Sequence, residues 1–209
     1  PVQLHYLGHA AFLLPFPNEL TVLTDYGESR AYGLDSPVFD LGEVRPDIVT
    51  LSHDHADHAG GELPAGVSPL VTDGRSYEAR GLTATAIPTF ERSLDAPDNS
   101  SYLFEYEGLK LLHLGDCQAL MLSVNEPAVR ARIAELYPHS YDLVLLPIGF
   151  TRDILAEAAQ FLTLLDARRV VTMHYWSPQD RDAFLAQLEG ATDSRGRRYG
   201  VRSHPEAGL

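Results

Sequence analysis

The stretch that decides the fold reads Thr50-Leu51-Ser52-His53-Asp54-His55-Ala56-Asp57-His58-Ala59-Gly60-Gly61. The residues before it, 47–51, are β-branched and apolar, which predicts a buried strand. The Gly-Gly pair that closes the stretch is a turn signal. Three histidines and two aspartates therefore crowd into six residues where a core strand becomes a loop.

This cluster has the composition of a metal site. Neutral imidazole offers a nitrogen lone pair near pH 7, and aspartate supplies the oxygen ligand of mixed His/carboxylate sites. In an extended backbone, His53, His55 and Asp57 face the same side. His58 interrupts this alternation, which favours two adjacent ions over one. The alternative is a solvated loop that is rich in histidine, but the density of ligand types favours the metal site.

Length and composition predict one globular domain, residues 1–209, because 44% of the residues are apolar and 22% are charged. No apolar run is long enough to cross a bilayer. The apolar segment 10–16 lacks a preceding basic region and contains a proline, so we do not expect a signal peptide. The single cysteine, Cys117, excludes an intramolecular disulfide and favours a cytoplasmic location.

The formal net charge of −13 bears on the choice of partners. An acidic chain repels polyanions, so long nucleic acids are disfavoured. We expect a small-molecule substrate and no membrane partner, and a homo-oligomer is a further possibility.

Period-two alternation and short apolar runs predict the strands. They cover residues 2–7, 10–14, 21–24, 48–51, 69–72, 82–87, 101–106, 109–114, 143–146 and 169–173. Helical spacing occurs only in the second half. It predicts helices over 126–136, over 153–165 with Thr151 or Asp153 as the N-cap, and over about 179–188. Residues 28–46 show no period and predict a loop.

Two further potential ligands follow apolar runs, as the histidine cluster does. They are Asp116 and His174. Alone, Asp116 could be a turn residue and His174 a core histidine. Because both occupy the same kind of position as the cluster, at the end of a strand, we expect them to belong to one site with it. Asp25 also ends a strand, and a turn-capping role is its alternative.

The chain as a whole resembles the metallo-β-lactamase superfamily. The resemblance rests on His53-x-His55-x-Asp57-His58, on the later Gly115-Asp116, and on His174 after a strand. Asp25 matches the acid of the family's first motif, which supports the site from behind the ligands. Narrower similarity to the ascorbate-6-phosphate lactonase-like group of metal-dependent hydrolases rests on Gly8-His9-Ala10, Leu146-Pro147-Ile148-Gly149 and Met173-His174-Tyr175.

The resemblance implies an α/β fold, a four-layer αβ/βα sandwich of two mixed sheets flanked by helices, with a dinuclear site at one edge. The ligands it implies are His53 and His55 for the first ion, and Asp57, His58 and His174 for the second. Asp116 would bridge, because two cations about 3.5–4 Å apart repel and a shared carboxylate neutralises them. The residues implied to support the ligands or contact substrate are Asp25, His9 and Tyr175.

One position departs from the family pattern. The family supplies another first-ion histidine between the cluster and the bridging acid, where this chain has Glu91. Glu91 either binds in its place, as a carboxylate binds zinc at about 2.0–2.2 Å, or faces away and leaves a weak or empty first site. The expected cofactors are two divalent ions of Zn, Mn or Fe.

Four histidines remain outside this set. We predict that His113 supports the site or lies in the core, and that His5, His139 and His204 are structural or solvated.

These residues predict a metal-dependent hydrolase, in which a metal-activated hydroxide attacks a small lactone, ester or phosphodiester. Asp57 would orient the nucleophile and carry a proton to the leaving group. True β-lactamase action is disfavoured, because Asp116 stands where those enzymes place a non-bridging residue. The alternatives are a redox iron protein on the same fold, whose relatives carry an acid in place of His55, and a non-catalytic metal-binding protein, which Glu91 favours.

Overall fold

The computed structural model describes residues 2–70, 76–150, 154–192 and 195–199. The first sheet contains four strands in chain order. They are β1 (His5–Gly8), β2 (Ala11–Pro15), β3 (Thr21–Thr24) and β4 (Ile48–Thr50). The first three strands pair antiparallel, and β4 pairs parallel with β3, so both β3 and β4 end at the same edge.

The second sheet has six strands in the order β12-β10-β8-β7-β6-β5. They are β5 (Ser76–Ala79), β6 (Leu82–Thr89), β7 (Asn99–Tyr106), β8 (Leu109–His113), β10 (Leu143–Pro147) and β12 (Val170–Met173). Strands β5 to β8 form an antiparallel meander, whereas β8, β10 and β12 are parallel. Two short strands, β9 (Ser140–Tyr141) and β11 (Asp166–Ala167), form a separate parallel pair.

Five α-helices complete the described part of the chain. They are α1 (Ala56–Ala59), α2 (Gln118–Leu122), α3 (Pro127–Leu136), α4 (Leu155–Leu164) and α5 (Pro178–Leu188). A capping box between Ser177 and Asp180 begins α5, since each side chain accepts from the other residue's backbone N–H. No helix in the described ranges is long and apolar enough to span a membrane.

The core forms between layers because strand residues alternate between two faces. In β10, Leu145 packs with Phe12 and Phe104 between the two sheets. Its neighbours Val144 and Leu146 point the other way, into a cluster with residues of α3, α4 and α5. The outer face of the first sheet is covered by loop residues such as Leu41. The predicted α/β fold with two mixed sheets is confirmed.

Most predicted elements are present, with shifted ends. The differences are the additional elements β5, β9, β11, α1 and α2, a 3-10 helix at Ala31–Gly33 in the loop predicted over 28–46, a first strand that begins at His5, and α4 beginning after Ile154. Residues 69–70 are not in a strand. The rest of the strand predicted over 69–72 lies outside the described residues, as do the N-cap residues expected at 151 and 153.

Candidate metal centre

The strand ends bring the predicted site residues to one edge of the molecule. Asp25 follows β3 and the histidine cluster follows β4 in the first sheet. In the second sheet, Glu91, Asp116 and His174 follow β6, β8 and β12, which all run in the same direction. The prediction that these strand ends share one location is therefore matched by the topology.

The histidine cluster divides into an extended part and a helical part. His55 has extended backbone angles, φ −68° and ψ 149°, and α1 begins at the next residue. The expected alternation of side chains therefore ends at His55. Asp57 and His58 lie on the turn of α1, where both are buried. This turn directs them to the side of the site that His174 occupies.

Asp25 fixes the orientation of His58. The Nδ1 atom of His58 lies 2.7 Å from Asp25 Oδ2 and donates its proton to that carboxylate. Asp25 also accepts from the backbone N–H of Ser52 and from the Ser52 hydroxyl, each at 2.7 Å. Because the Nδ1 proton is used in this way, His58 presents the lone pair of Nε2 to the site.

The same tautomer is fixed at two other histidines. His53 Nδ1 lies 2.9 Å from Ser52 Oγ, whose own proton goes to Asp25, so His53 is the donor. His174 Nδ1 donates to the backbone carbonyl of Gly149. Each imidazole therefore offers an Nε2 lone pair, as a metal-binding histidine requires.

Five potential ligand atoms of the site have no hydrogen-bond partner within the described ranges. They are Nε2 of His53, His58 and His174 and Oδ1 of Asp57 and Asp116, all of them buried. A buried polar atom without a partner costs about 1–3 kcal/mol. Five such atoms in one place, with three imidazole nitrogens and two carboxylate oxygens, fit a bound cation and do not suit an apolar core.

The separations between these groups match ligands of shared ions. Asp57 Oδ2 lies 3.4 Å from His174 Nε2 and 3.6 Å from His58 Nε2. Asp116 Oδ2 is 3.6 Å from His174 Nε2, and Asp116 also groups with His53 and His58. Two ligands at about 2.0–2.2 Å from one ion lie roughly 2.8–3.6 Å apart.

Glu91 faces the site. Its carboxylate lies 3.2 Å from His55 Nδ1 and 3.7 Å from His53 Nε2, and the three residues form a second group of potential ligands. Asp98 holds the backbone here, because it accepts from the N–H of Glu91 at 2.7 Å and pairs with Arg92. The Glu91 carboxylate is therefore directed towards His53 and His55.

Electrostatics also favour a cation. Burial, and then the Asp116 carboxylate, raise the pKa of Glu91 to about 7. Burial raises the pKa of Asp116 as well, against the opposing effects of His174 and His58. Burial alone would lower the pKa of His58, but the Asp25 carboxylate raises it to about 9, so the Nε2 lone pair becomes available when a metal ion displaces the proton. The carboxyl groups thus lie close together at a buried position, and a cation would reduce the repulsion between their negative charges.

His9 also lies in the site, but hydrogen bonds engage both of its ring nitrogens. Its Nε2 lies 2.9 Å from Asp57 Oδ2, and its Nδ1 lies 2.9 Å from Ser36 Oγ. Burial, followed by nearby His174, lowers the pKa of His9 to about 3, so the ring is neutral. His9 therefore contacts a potential ligand, Asp57, through Nε2.

The three segments of the narrower motif meet here. The backbone N–H of His174 donates to the His9 carbonyl at 2.9 Å, and Gly149 accepts from the His174 ring. A side chain on Gly149 would place its Cβ 2.5 Å from the His174 carbonyl oxygen. Tyr175, expected beside the site, is half-buried, and its ring packs near Tyr6 with the centroids 6.2 Å apart.

The other described histidines, His5, His113 and His139, are not among the potential metal ligands. His113 is buried in the core, where Nε2 donates to the Ala10 carbonyl and Nδ1 accepts from Gly115 N–H. His5 is half-buried and His139 is exposed, whereas His204 falls outside the described residues.

Backbone strain marks the site in a way that spacing did not predict. Three site residues have left-handed backbones, with φ of 51° at His9, 36° at Asp25 and 53° at His174. Such conformations cost of order 1–3 kcal/mol at non-glycine residues and cluster at functional sites. Sequence reasoning also missed Ser36 and Ser52, which have no motif of their own.

A family model described as "Beta-lactamase superfamily domain" matches residues 3–174, which include every potential ligand named above. The chain belongs to this family. The assignment agrees with the two mixed sheets and with the position of the donor groups at the strand ends.

Relatives in the same superfamily carry names that refer to metal-dependent hydrolysis. A "UPF0173 metal-dependent hydrolase" of Thermococcus kodakarensis is 27% identical, covering 88% of this chain and 90% of its own. One from Thermus thermophilus is 27% identical, covering 97% and 95%. A solved structure from Thermotoga maritima, titled as a candidate Zn-dependent hydrolase of the metallo-β-lactamase superfamily, has a TM-score of 0.63 and 27% identity, with 90% and 86% covered.

Proposed function

We propose that this protein is a metal-dependent hydrolase that uses two divalent cations on a small lactone or ester. One observation carries the proposal: five buried ligand-type atoms from three segments lie together without hydrogen-bond partners in the described part of the chain. Hydrogen bonds already fix three of the five as lone pairs. The names of the relatives, which are metal-dependent hydrolases, support the same function.

The contacts support a division of the ligands between two ions. Asp57, His58 and His174 would hold the second ion, because Asp57 Oδ2 lies within 3.6 Å of both Nε2 atoms. His53, His55 and Glu91 would hold the first. Asp116 approaches members of both groups, which suits a carboxylate that bridges two cations.

The donor set favours Zn, Mn or Fe. It combines imidazole nitrogens, which suit Zn and Fe, with carboxylates, which suit Mn. With Glu91 as a ligand, three carboxylates face two divalent cations, so the formal charge is about +1 before any hydroxide. Such a centre is a weaker Lewis acid than one in which histidine replaces Glu91.

Two bound cations would lower the pKa of water towards about 7 and polarise the substrate oxygen. The two carboxylate oxygens of Asp57 have different roles in this reaction. Oδ2 faces His58 and His174, whereas Oδ1 is buried without a partner among the described residues. Oδ1 therefore accepts a proton from the attacking water and returns it to the leaving group. His55, 38% exposed at its side chain, lies where the site opens to solvent.

A neutral substrate fits the electrostatics better than a phosphodiester. The net charge is −13, and Arg92, the cation next to Glu91 in sequence, is already paired with Asp98 at 2.9 Å. The acidic surface would repel an anionic phosphodiester, and Arg92 is already paired with Asp98 and so less able to neutralise its charge. The motifs that resemble those of the ascorbate-6-phosphate lactonase-like group favour a lactone over an open-chain ester.

The test strips the protein with a chelator and reloads it with Zn or Mn. Turnover is then followed on p-nitrophenyl acetate, dihydrocoumarin and bis(p-nitrophenyl) phosphate, which represent an ester, a lactone and a phosphodiester. We expect metal-dependent hydrolysis of the ester or the lactone, lost in His55→Ala and Asp57→Ala. His139→Ala, at an exposed histidine, is the matched control and keeps full activity.

Three results would contradict this proposal. Full activity in the metal-stripped protein would exclude the metal-dependent mechanism. Metal binding without turnover on any of the three substrates would favour a non-catalytic metal-binding protein, and a visible iron spectrum that changes with oxidation state would favour a redox protein.

A further inference from the structure

His9 is the one imidazole in the buried group with Asp57, His58 and His174 whose ring nitrogens are both engaged in described hydrogen bonds. Nε2 lies 2.9 Å from Asp57 Oδ2, and Nδ1 lies 2.9 Å from Ser36 Oγ. An ionised carboxylate only accepts hydrogen bonds, and Asp57 Oδ2 is the atom that faces Nε2 of both His58 and His174. His9 must therefore donate from Nε2.

This tautomer is the opposite of the one found in the potential ligands. His53, His58 and His174 carry their proton on Nδ1, whereas His9 carries it on Nε2. A neutral ring has one proton, so His9 Nδ1 must accept. The Ser36 hydroxyl is the donor in reach, and its distance to Nδ1 is shorter than its 3.5 Å distance to the Tyr175 carbonyl.

The His9 ring has little freedom to adopt another position. It stacks on Trp176 with centroids 4.7 Å apart and lies 4.2 Å from the His174 ring. Its backbone is left-handed, with φ 51°, and its carbonyl accepts from Tyr6 Oη and from the His174 N–H. Packing thus sets where the ring lies, and Ser36 sets which nitrogen carries the proton.

Ser36 reaches this position from the loop between β3 and β4. It is buried, with 7% of its surface exposed, although most of its neighbours in the loop are exposed. No other described contact of its hydroxyl is as short as the one to His9. Ser36 is thus a buried serine in a mostly exposed loop, and its hydroxyl contacts the histidine that binds Asp57. This placement indicates a role at the site.

We propose that Ser36 is a positioning residue for the second cation and acts through His9 on Asp57. The Ser36 hydroxyl keeps the proton of His9 on Nε2, and Nε2–H holds Asp57 Oδ2 within reach of His58 and His174. This inference rests on the proposed two-cation site. Without the hydroxyl, Nδ1 loses its donor, the Nε2–H tautomer is less favoured, and the Asp57 carboxylate is held less firmly.

The test measures Co²⁺ binding to Ser36→Ala by competition with a chromophoric chelator, together with the visible absorption of the bound ion. We expect one of two Co²⁺ ions to bind about 10–100-fold more weakly, as is typical when an outer hydrogen-bond partner is removed. The affinity for the other ion and the melting temperature of the metal-free protein should match the parent. Ser29→Ala is the control, because Ser29 lies in the same loop and contacts only Val38 N–H among the described hydrogen bonds.

Ser36→Cys supports the test if the alanine variant does not fold, since it keeps the size of the side chain and replaces the hydroxyl with a weak donor. Equal Co²⁺ affinities and spectra in the parent and both Ser36 variants would overturn the inference while leaving the two-cation site intact. A parent protein that binds no Co²⁺ would instead overturn the proposed function.

Discussion

Asp25 and His58 are 33 residues apart in sequence, yet Asp25 Oδ2 accepts the Nδ1 proton of His58 at 2.7 Å. Both side chains are buried, and Asp25 contacts the ring nitrogen of His58 that does not face the other potential ligands. This contact determines which nitrogen of His58 is available. It is therefore the point at which a substitution outside the ligands has a clear expected effect.

Asp25→Asn keeps the shape of the side chain and removes its charge. We expect the affinity for the second cation to fall about 10–100-fold, because the His58 ring loses the carboxylate that raises its basicity. Calorimetric titration of Zn²⁺ or Mn²⁺ into the metal-free protein measures this loss. Asp182→Asn, at an exposed acid paired with Arg181, is the control. Unchanged affinity in Asp25→Asn would show that the contact does not act on the site.

Glu91 allows a test in two directions. We expect Glu91→Ala to weaken or abolish binding of the first ion, and Glu91→His to restore binding with a more positive centre and a more acidic water. Metal analysis of the purified variants and the pH dependence of turnover measure these effects. Glu135→His, on the exposed side of α3, is the control. Parent-like stoichiometry and activity in both Glu91 variants would exclude a ligand role.

Removal of the ions should destabilise the native state. Ligands that bind only the folded protein add RT ln(1 + [L]/Kd), about 4 kcal/mol for one ion at 1,000 times its Kd. For a chain of this size we expect a chelator to lower the melting temperature by about 10 °C or more. Scanning calorimetry with and without the chelator measures the shift. His58→Ala should show a smaller shift, and no shift in the parent would contradict a resident cation.

Gly115 lies next to Asp116 and tolerates no side chain. Its φ is +65°, and a Cβ would lie 2.6 Å from both Asn99 Oδ1 and Ser52 Cβ. Gly115→Ala should therefore lower the free energy of unfolding by more than the left-handed backbone alone requires, which is of order 1–3 kcal/mol. Gly108→Ala is a matched control, since Gly108 has φ +81° with open space around it. Equal losses in urea unfolding would exclude a steric effect at Gly115.

The sequence supports prediction of the ligands because they follow apolar runs. Strand ends after β4, β8 and β12 carry the cluster, Asp116 and His174, and such runs are the strongest local signal of structure. The same signal locates Asp25. Glu91 could be placed only by resemblance, and the structure adds its orientation towards His53 and His55.

Other features could not be predicted because no local pattern encodes them. Helix α1 has four residues, too few to show a helical period, and β5 is exposed along most of its length and so lacks apolar alternation. The contacts of His9 with Ser36 and Asp57 span 27 and 48 residues. The tautomers of the site histidines depend on such contacts, so they become visible only in the folded chain.

The most direct test of the two-cation centre is the metal content of the purified protein after loading with Zn²⁺ or Mn²⁺ and removal of unbound ions. Elemental analysis should give two ions per chain, with one lost in His58→Ala and the parent value kept in His139→Ala. A parent protein without bound metal would contradict the account. A single ion would leave metal-dependent hydrolysis open and exclude the two-cation mechanism.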